Sequence, residues 1–216
     1  MTATEIEGRL ATVEQVLADP PNVHFADPVY GLVPPGGVWR TRRSCYEFLA
    51  AQCGAGSRTL ETGLGISTAL FTMWGCVHTC VVPWRIEADR LRGYLAERQV
   101  DDGPLRVEVG YSHEVLPALE PTPLDLVLID GGHGFPMAML DWFYAGGRLV
   151  TGGVLVLDDL HLPSVTAGLV DFLDRDPRWV ELHRTDKWAA WRRESAGTLA
   201  EEWTDQPFFS PYRPRA

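Results

Sequence analysis

The spacing of apolar positions changes near residue 57, where a helical lead gives way to an alternating core. Between Thr4 and Leu17, Ile6, Leu10, Val13, Val16 and Leu17 recur at intervals of about one helical turn, which predicts an amphipathic helix. From Asp19 to Gly37 the pattern breaks: Pro20, Pro21, Pro28, Pro34 and Pro35 fix φ and remove backbone donors, so an irregular arm is expected. Ser44 reads as an N-cap for a helix carrying Tyr46, Phe48, Leu49 and Cys53, stopped by Gly54 to Gly56. Short apolar runs then alternate with helical ones. Strands are expected over Thr59–Glu61, Thr79–Val82, Arg106–Val109, Leu124–Ile129, Val154–Leu157, Val180–His183 and Trp188–Trp191. The intervening helices are Ser67–Trp74, Ile86–Arg98, Ser112–Leu119, Phe135–Tyr144 and Ser164–Arg175. Near-continuous apolar strands separated by helices are what a parallel sheet buried on both faces requires. The expected fold is therefore three-layer α/β, a seven-stranded, mostly parallel sheet with helices on both faces, preceded by a helical and irregular N-terminal arm. Residues 1–56 form the lead, 57–193 the core and 194–216 an aromatic, proline-rich tail through Phe208, Phe209, Pro211, Tyr212 and Pro214.

Composition narrows the partners. With 216 residues, 45% hydrophobic and 22% charged, the chain can bury one sizeable core without disulfides. A net charge of -10 argues against holding nucleic acid through its phosphates, which takes clustered cations, and favours a small-molecule substrate. The exception is Arg40, Arg42 and Arg43, a run that can meet an anion but more often is solvated surface. Cys45, Cys53, Cys76 and Cys80 lack the density of a disulfide scaffold, and Cys76 and Cys80 have no second ligand pair at a zinc-finger spacing, so all four read as buried thiols. No apolar run is long enough to cross a bilayer and Met1 to Leu10 has no signal-peptide core, so a cytoplasmic protein without membrane contact is expected. A homo-oligomer is compatible with the sequence.

The first expected strand ends in Leu60-Glu61-Thr62-Gly63-Leu64-Gly65-Ile66-Ser67-Thr68. Two glycines allow close backbone approach, and the following helix start offers free amides to an anionic group. Glycines at such a turn also serve tight geometry alone. The E-x-G-x-G turn and the seven-strand order resemble the class I S-adenosylmethionine-dependent methyltransferases, which have a Rossmann-like sheet. The likeness runs from about Ser57 to Arg193. By that resemblance Glu61, Gly63, Gly65, Ser67 and Thr68 bind the cofactor, S-adenosyl-L-methionine.

The other half of the cofactor cleft departs from the family. An acid that holds the ribose usually ends the second strand; here Val81-Val82-Pro83-Trp84 stands there. Losing hydrogen bonds to a charged group costs on the order of 1.5 to 3 kcal/mol, which weakens a cofactor without abolishing it. After the third strand the chain reads Val109-Gly110-Tyr111-Ser112, where Tyr111 can flank a purine and Ser112 can bond to it.

The densest chemistry lies in Asp130-Gly131-Gly132-His133 and Asp158-Asp159-Leu160-His161, each ending an apolar strand. Ligands of open parallel sheets bind beyond the carboxyl ends of the strands, so these side chains should converge. Crowded carboxylates raise one another's pKa unless a cation neutralises them, which points to a divalent metal. Oxygen ligands favour magnesium, calcium or manganese, with magnesium first, and coordinating imidazoles would admit iron, zinc or nickel. The pattern resembles the metal-dependent O-methyltransferases. Carried over, Asp130, Asp158 and Asp159 hold the metal, and Asp130 also belongs to the cofactor cleft. A general base is required, and His133, then His161, are the candidates. Lys187, the only lysine, falls beside the last strand and is not placed in the site. Helix capping by an aspartate and scaffold roles for the histidines are the plain alternatives.

Substrate choice is expected to lie in the appended segments, with His24, Tyr30 and Trp39 in the arm and Trp203, Phe208, Phe209 and Tyr212 in the tail forming an aromatic lid. The leading function is metal-assisted O-methylation of a small hydroxylated metabolite, such as a natural product, sugar or catechol. Two others stay open: metal-dependent hydrolysis, elimination or oxidation on the same fold, which Val82 favours, and a non-catalytic binding protein.

Overall fold

The computed structural model describes residues 2–24, 38–195, 202–204 and 206–208. Expectations for Pro28, Tyr30, Pro34, Pro35, Gly37, Phe209, Pro211, Tyr212 and Pro214 lie outside the described residues. Helix α1 spans Ala3–Ala18, with Thr2 and Glu5 forming a capping box. Helix α2 spans Arg43–Gln52. Ser44 is thus not a cap: it lies inside the helix, and its Oγ accepts from Trp188 Nε1 at 3.1 Å.

The core follows as β1 (Arg58–Thr62), α3 (Ile66–Met73), β2 (Val77–Val82), α4 (Arg85–Glu97), β3 (Leu105–Val109), α5 (Ser112–Val115) and β4 (Leu124–Ile129). It continues as α6 (Met137–Asp141), β5 (Leu149–Leu157), α7 (Pro163–Thr166), α8 (Leu169–Arg175), β6 (Trp179–Arg184) and β7 (Ala189–Arg193). Three expected helices are interrupted. The run from Ser112 tightens into a 3-10 turn at Leu116–Ala118. The run from Phe135 passes at Trp142 into a wider turn, and the run from Ser164 breaks at Gly168, whose φ of 78° suits glycine.

All seven strands form one sheet in the order β3-β2-β1-β4-β5-β7-β6. Pairing is parallel from β3 through β5, while β7 runs antiparallel to β5 and β6. Because side chains alternate along a strand, β4 sends Leu126 and Leu128 to one face and Val127 and Ile129 to the other. Leu126 and Leu128 join Val13, Leu49, Leu70 and Leu91, from α1 to α4; Val127 and Ile129 join Trp142, Leu169 and Leu173, from the second set of helices. The strand order reverses between β1 and β4, which opens a crevice at their carboxyl ends. No helix among the described residues is long and apolar enough to cross a membrane.

Candidate active site

Sheet hydrogen bonds continue past the strand ends and carry the candidate residues into the crevice. Gly63 N donates to Val81 O, Asp130 N to Thr62 O and Asp158 N to Ile129 O, at 3.0 to 3.1 Å. Gly63 has φ 97°, and a Cβ there would lie 2.3 Å from the Asp130 carbonyl oxygen. Glycine at this position is therefore demanded by the approach of β1 to β4, before any ligand is considered. At Gly65 a Cβ would meet only His24 Cε1, at 3.6 Å, so this part of the turn faces space bounded by the arm. Arg90 of α4 holds that part of the arm through the Val23 and His24 carbonyls.

Glu61 is buried, accepts from Thr68 Oγ1, and lies 3.3 Å from His78 Nε2. That last contact is off the alignment a hydrogen bond needs, and Nε2 of His78 is otherwise unpartnered. Thr68 Oγ1 in turn accepts from Gly65 N at 2.9 Å, and His78 Nδ1 lies 2.7 Å from Thr59 Oγ1. Glu61 and Thr68 thus brace the glycine turn from behind, and Ser67 is buried beside them. His78, absent from the sequence reading, belongs to this brace; its only signal was a histidine inside an apolar strand. The cysteines are buried and free, as expected, with Cys80 Sγ donating to Gly63 O at 2.9 Å.

Asp130, Asp158 and Asp159 each offer an oxygen within 4.8 Å of the others. Burial pushes the Asp130 carboxyl well above the usual range, reinforced by Asp158, Asp159 and Glu61 and opposed by Lys187. Thr41 Oγ1 donates to Asp158 Oδ1 at 2.7 Å, while Thr41 N donates to the hydroxyl of Tyr46. Asp159 has φ 60°, a left-handed backbone more easily borne by Asp than by most residues. That turn aims its carboxylate at three cations or potential cations. His133 Nδ1 is 3.0 Å from Oδ2, His161 Nδ1 is 3.7 Å from Oδ1, and Lys187 Nζ donates to Oδ1. Lys187 Nζ also lies 3.3 Å from Asp158 Oδ2. Burial lowers the Lys187 pKa, but Asp159 and Asp158 outweigh it and leave it raised.

The position of Lys187 corrects the sequence reading. β7 is antiparallel, so the turn that precedes it returns to the carboxyl ends of the parallel strands, and Leu160 N donates to Lys187 O at 2.9 Å. Three converging carboxylates, one of them with a raised pKa, fit a hard divalent cation, provided the flexible Lys187 side chain withdraws.

Residues 60–160 match the family model of a methyltransferase domain. Over this stretch, just under half of the chain, the sequence is similar to methyltransferase domains. Solved structures agree on the fold. The O-methyltransferase TomG of Streptomyces achromogenes, involved in tomaymycin synthesis and solved with SAM, superposes with a TM-score of 0.58 at 18% identity, covering 87% of this chain and 90% of its own. An SAH-bound methyltransferase of Podospora anserina gives 0.57 at 15% identity, covering 90% and 89%. A protein of Corynebacterium glutamicum gives 0.58 at 13% identity, covering 88% and 91%. No curated protein matches the chain by sequence.

The crevice wall formed by β2 and β3 is aromatic. Val82 is buried and points its side chain into the core. Tyr111 is half exposed, stacks on His113 at 5.8 Å, and meets the edge of Trp84 at 6.3 Å. Trp84 is the addition to the expected set. Ser112 begins α5 beside Tyr111. Behind it Asp141 is fully buried with neither oxygen in hydrogen-bonding geometry; burial raises its pKa, against the nearby Ser112 and Thr62 hydroxyls. Of the expected lid residues, Trp39 N donates to His24 Nδ1 near the glycine turn, whereas Phe208 packs on Phe172 of α8.

Proposed function

We propose that the protein transfers a methyl group from S-adenosyl-L-methionine to a hydroxyl oxygen of a small metabolite, assisted by a divalent cation, magnesium by preference. The observation that carries this reading is the convergence of Asp130, Asp158 and Asp159 within 4.8 Å, next to the turn of Gly63. The cofactor supplies the methyl group, and the cation lowers the pKa of the acceptor hydroxyl. Asp130, Asp158 and Asp159 would hold the cation; Gly63, Gly65, Ser67 and Thr68, braced by Glu61, would line the cofactor's amino-acid end. Trp84, Tyr111 and Ser112 would flank its purine, for which the partly exposed rings of Trp84 and Tyr111 offer aromatic surface.

His133 is the base in this reading. Its Nδ1 lies 3.0 Å from Asp159 Oδ2, a contact that keeps the proton on Nδ1 and leaves Nε2 to accept the acceptor's hydroxyl proton. His161 sits 3.7 Å from the same carboxylate, too far for a hydrogen bond, and serves better as a wall of the acceptor space. The apolar Val82 at the end of β2 supports weaker ribose binding, and with it the competing reading of cation chemistry without methyl transfer. Calorimetry decides between them. Binding of S-adenosylmethionine, together with magnesium binding that is lost in Asp158→Ala, is the expected result; magnesium binding without cofactor binding would overturn methyl transfer.

A further inference from the structure

A cavity of about 320 Å³, lined by Arg40, Thr41, Arg42, His161, Asp186 and Lys187, opens beside the aspartate cluster. Its volume is at the lower end of the range for small-ligand sites. Its charges can be accounted for one at a time. Arg42 is paired with Asp186 at 2.5 Å. Lys187 is held by Asp158 and Asp159, and so screens those carboxylates from the cavity. Arg40 has no ion-pair or hydrogen-bond partner among the described residues. Among the described residues the unpaired charge of the cavity is therefore the Arg40 guanidinium, joined by the Lys187 ammonium when a cation takes its place on the aspartates.

The backbone at Arg40 is anchored beside the aspartate cluster. The next residue, Thr41, is buried, with its hydroxyl on Asp158 and its amide on Tyr46. The backbone at Arg40 is thus one residue from a side chain bonded to the cluster proposed to hold the cation. A planar guanidinium presents paired donors that match the two oxygens of a carboxylate or phosphate.

We propose that this cavity receives an acidic group of the acceptor substrate, a carboxylate or phosphate, on the guanidinium of Arg40. The acceptor is then a hydroxylated small acid rather than a neutral sugar or catechol. This rests on the methyl-transfer reading for the identity of the ligand as an acceptor, but the anion site itself can be tested without turnover.

The test uses benzoate, phenyl phosphate and neutral phenol as probes on the full chain, followed by amide chemical shifts of Thr41, His161 and Lys187, with S-adenosylmethionine affinity measured separately. Saturable shifts with benzoate or phenyl phosphate, but not phenol, are expected, and the stronger of the two anions identifies the acidic group. Arg40→Ala should weaken that anion at least about tenfold, as loss of a charge-assisted contact implies, with cofactor affinity unchanged. Arg40 is exposed, so its replacement leaves the core intact. The proposal is overturned if neither anion moves these amides, if phenol binds as tightly, or if Arg40→Ala binds the anion like the parent. Anion binding in a chain that fails to bind S-adenosylmethionine would sustain the anion site and sink methyl transfer.

Discussion

Lys187 Nζ lies 3.3 Å from Asp158 Oδ2, so the chain's only lysine stands where three carboxylates converge. Removing it leaves two buried acids without their cation. Breaking a buried pair costs about 3–5 kcal/mol, and partial exposure of Lys187 reduces this to roughly 2–3 kcal/mol. Lys187→Ala should therefore lower the unfolding free energy by that amount in chelator. Magnesium at about 100 times its Kd offsets about 2.7 kcal/mol, so it should restore most of the loss. Denaturant unfolding with and without magnesium checks both halves; a destabilised variant that magnesium leaves unchanged would remove the aspartates as a cation site.

A second prediction concerns Gly63. Alanine there would need a strained φ of 97° and would set its Cβ 2.3 Å from the Asp130 carbonyl oxygen. Strain and overpacking together should cost about 2–4 kcal/mol. Since Asp130 is the residue displaced, magnesium affinity should fall with stability. A Gly63→Ala protein of parental stability would show that the β1 and β4 ends are not held as closely as described.

Glu87 supplies a pH dependence. It lies on the buried side of the first turn of α4, and burial pushes its pKa from 4.5 up to about 7, with Arg90 opposing. Between those values the native state binds more protons than the unfolded chain, so stability falls as pH rises through this window. The cost approaches about 3 kcal/mol above pH 7 on the scale of 1.36 kcal/mol per pKa unit. Glu87→Gln should remove this component. Subtracting parent from variant in urea denaturation at pH 5 and pH 8 isolates it from other titrating groups, and an unchanged slope would count against the buried acid.

The sequence was most readable where a local period decides structure. Each of the seven strands lies where its apolar run predicts, most firmly β1 and β4 at the centre of the sheet, because a strand buried on both faces has little freedom in composition. Asp130, His133, Asp158, Asp159 and His161 were readable as a group, since strand ends in a parallel sheet share one edge. Lys187 was not, because its place depends on β7 inserting antiparallel beside β5, a non-local pairing that alternation does not encode. His78 and Thr41 were hidden for a similar reason: their partners, Glu61 and Asp158, are remote in sequence or on a neighbouring strand. The sequence left Gly63 open between room for a ligand and tight geometry alone, and the atom nearest a Cβ there is the chain's own Asp130 carbonyl oxygen, a contact between strands that local sequence does not show.

The two histidines can be separated by kinetics. His133 and His161 both face Asp159, but only His133, at 3.0 Å, is within hydrogen-bonding distance. If His133 takes the acceptor's proton, His133→Ala should lower kcat by about 10²–10⁴-fold, the usual contribution of a general base, with little change in cofactor affinity. His161→Ala should act mainly on acceptor KM. Asp159 orients His133, so in the double variant His133→Ala with Asp159→Asn the losses should fall well short of additive. A strictly additive result would mean that Asp159 acts through the cation alone. A larger kcat loss for His161→Ala than for His133→Ala would exchange the two roles, which the difference of 0.7 Å in their contacts argues against.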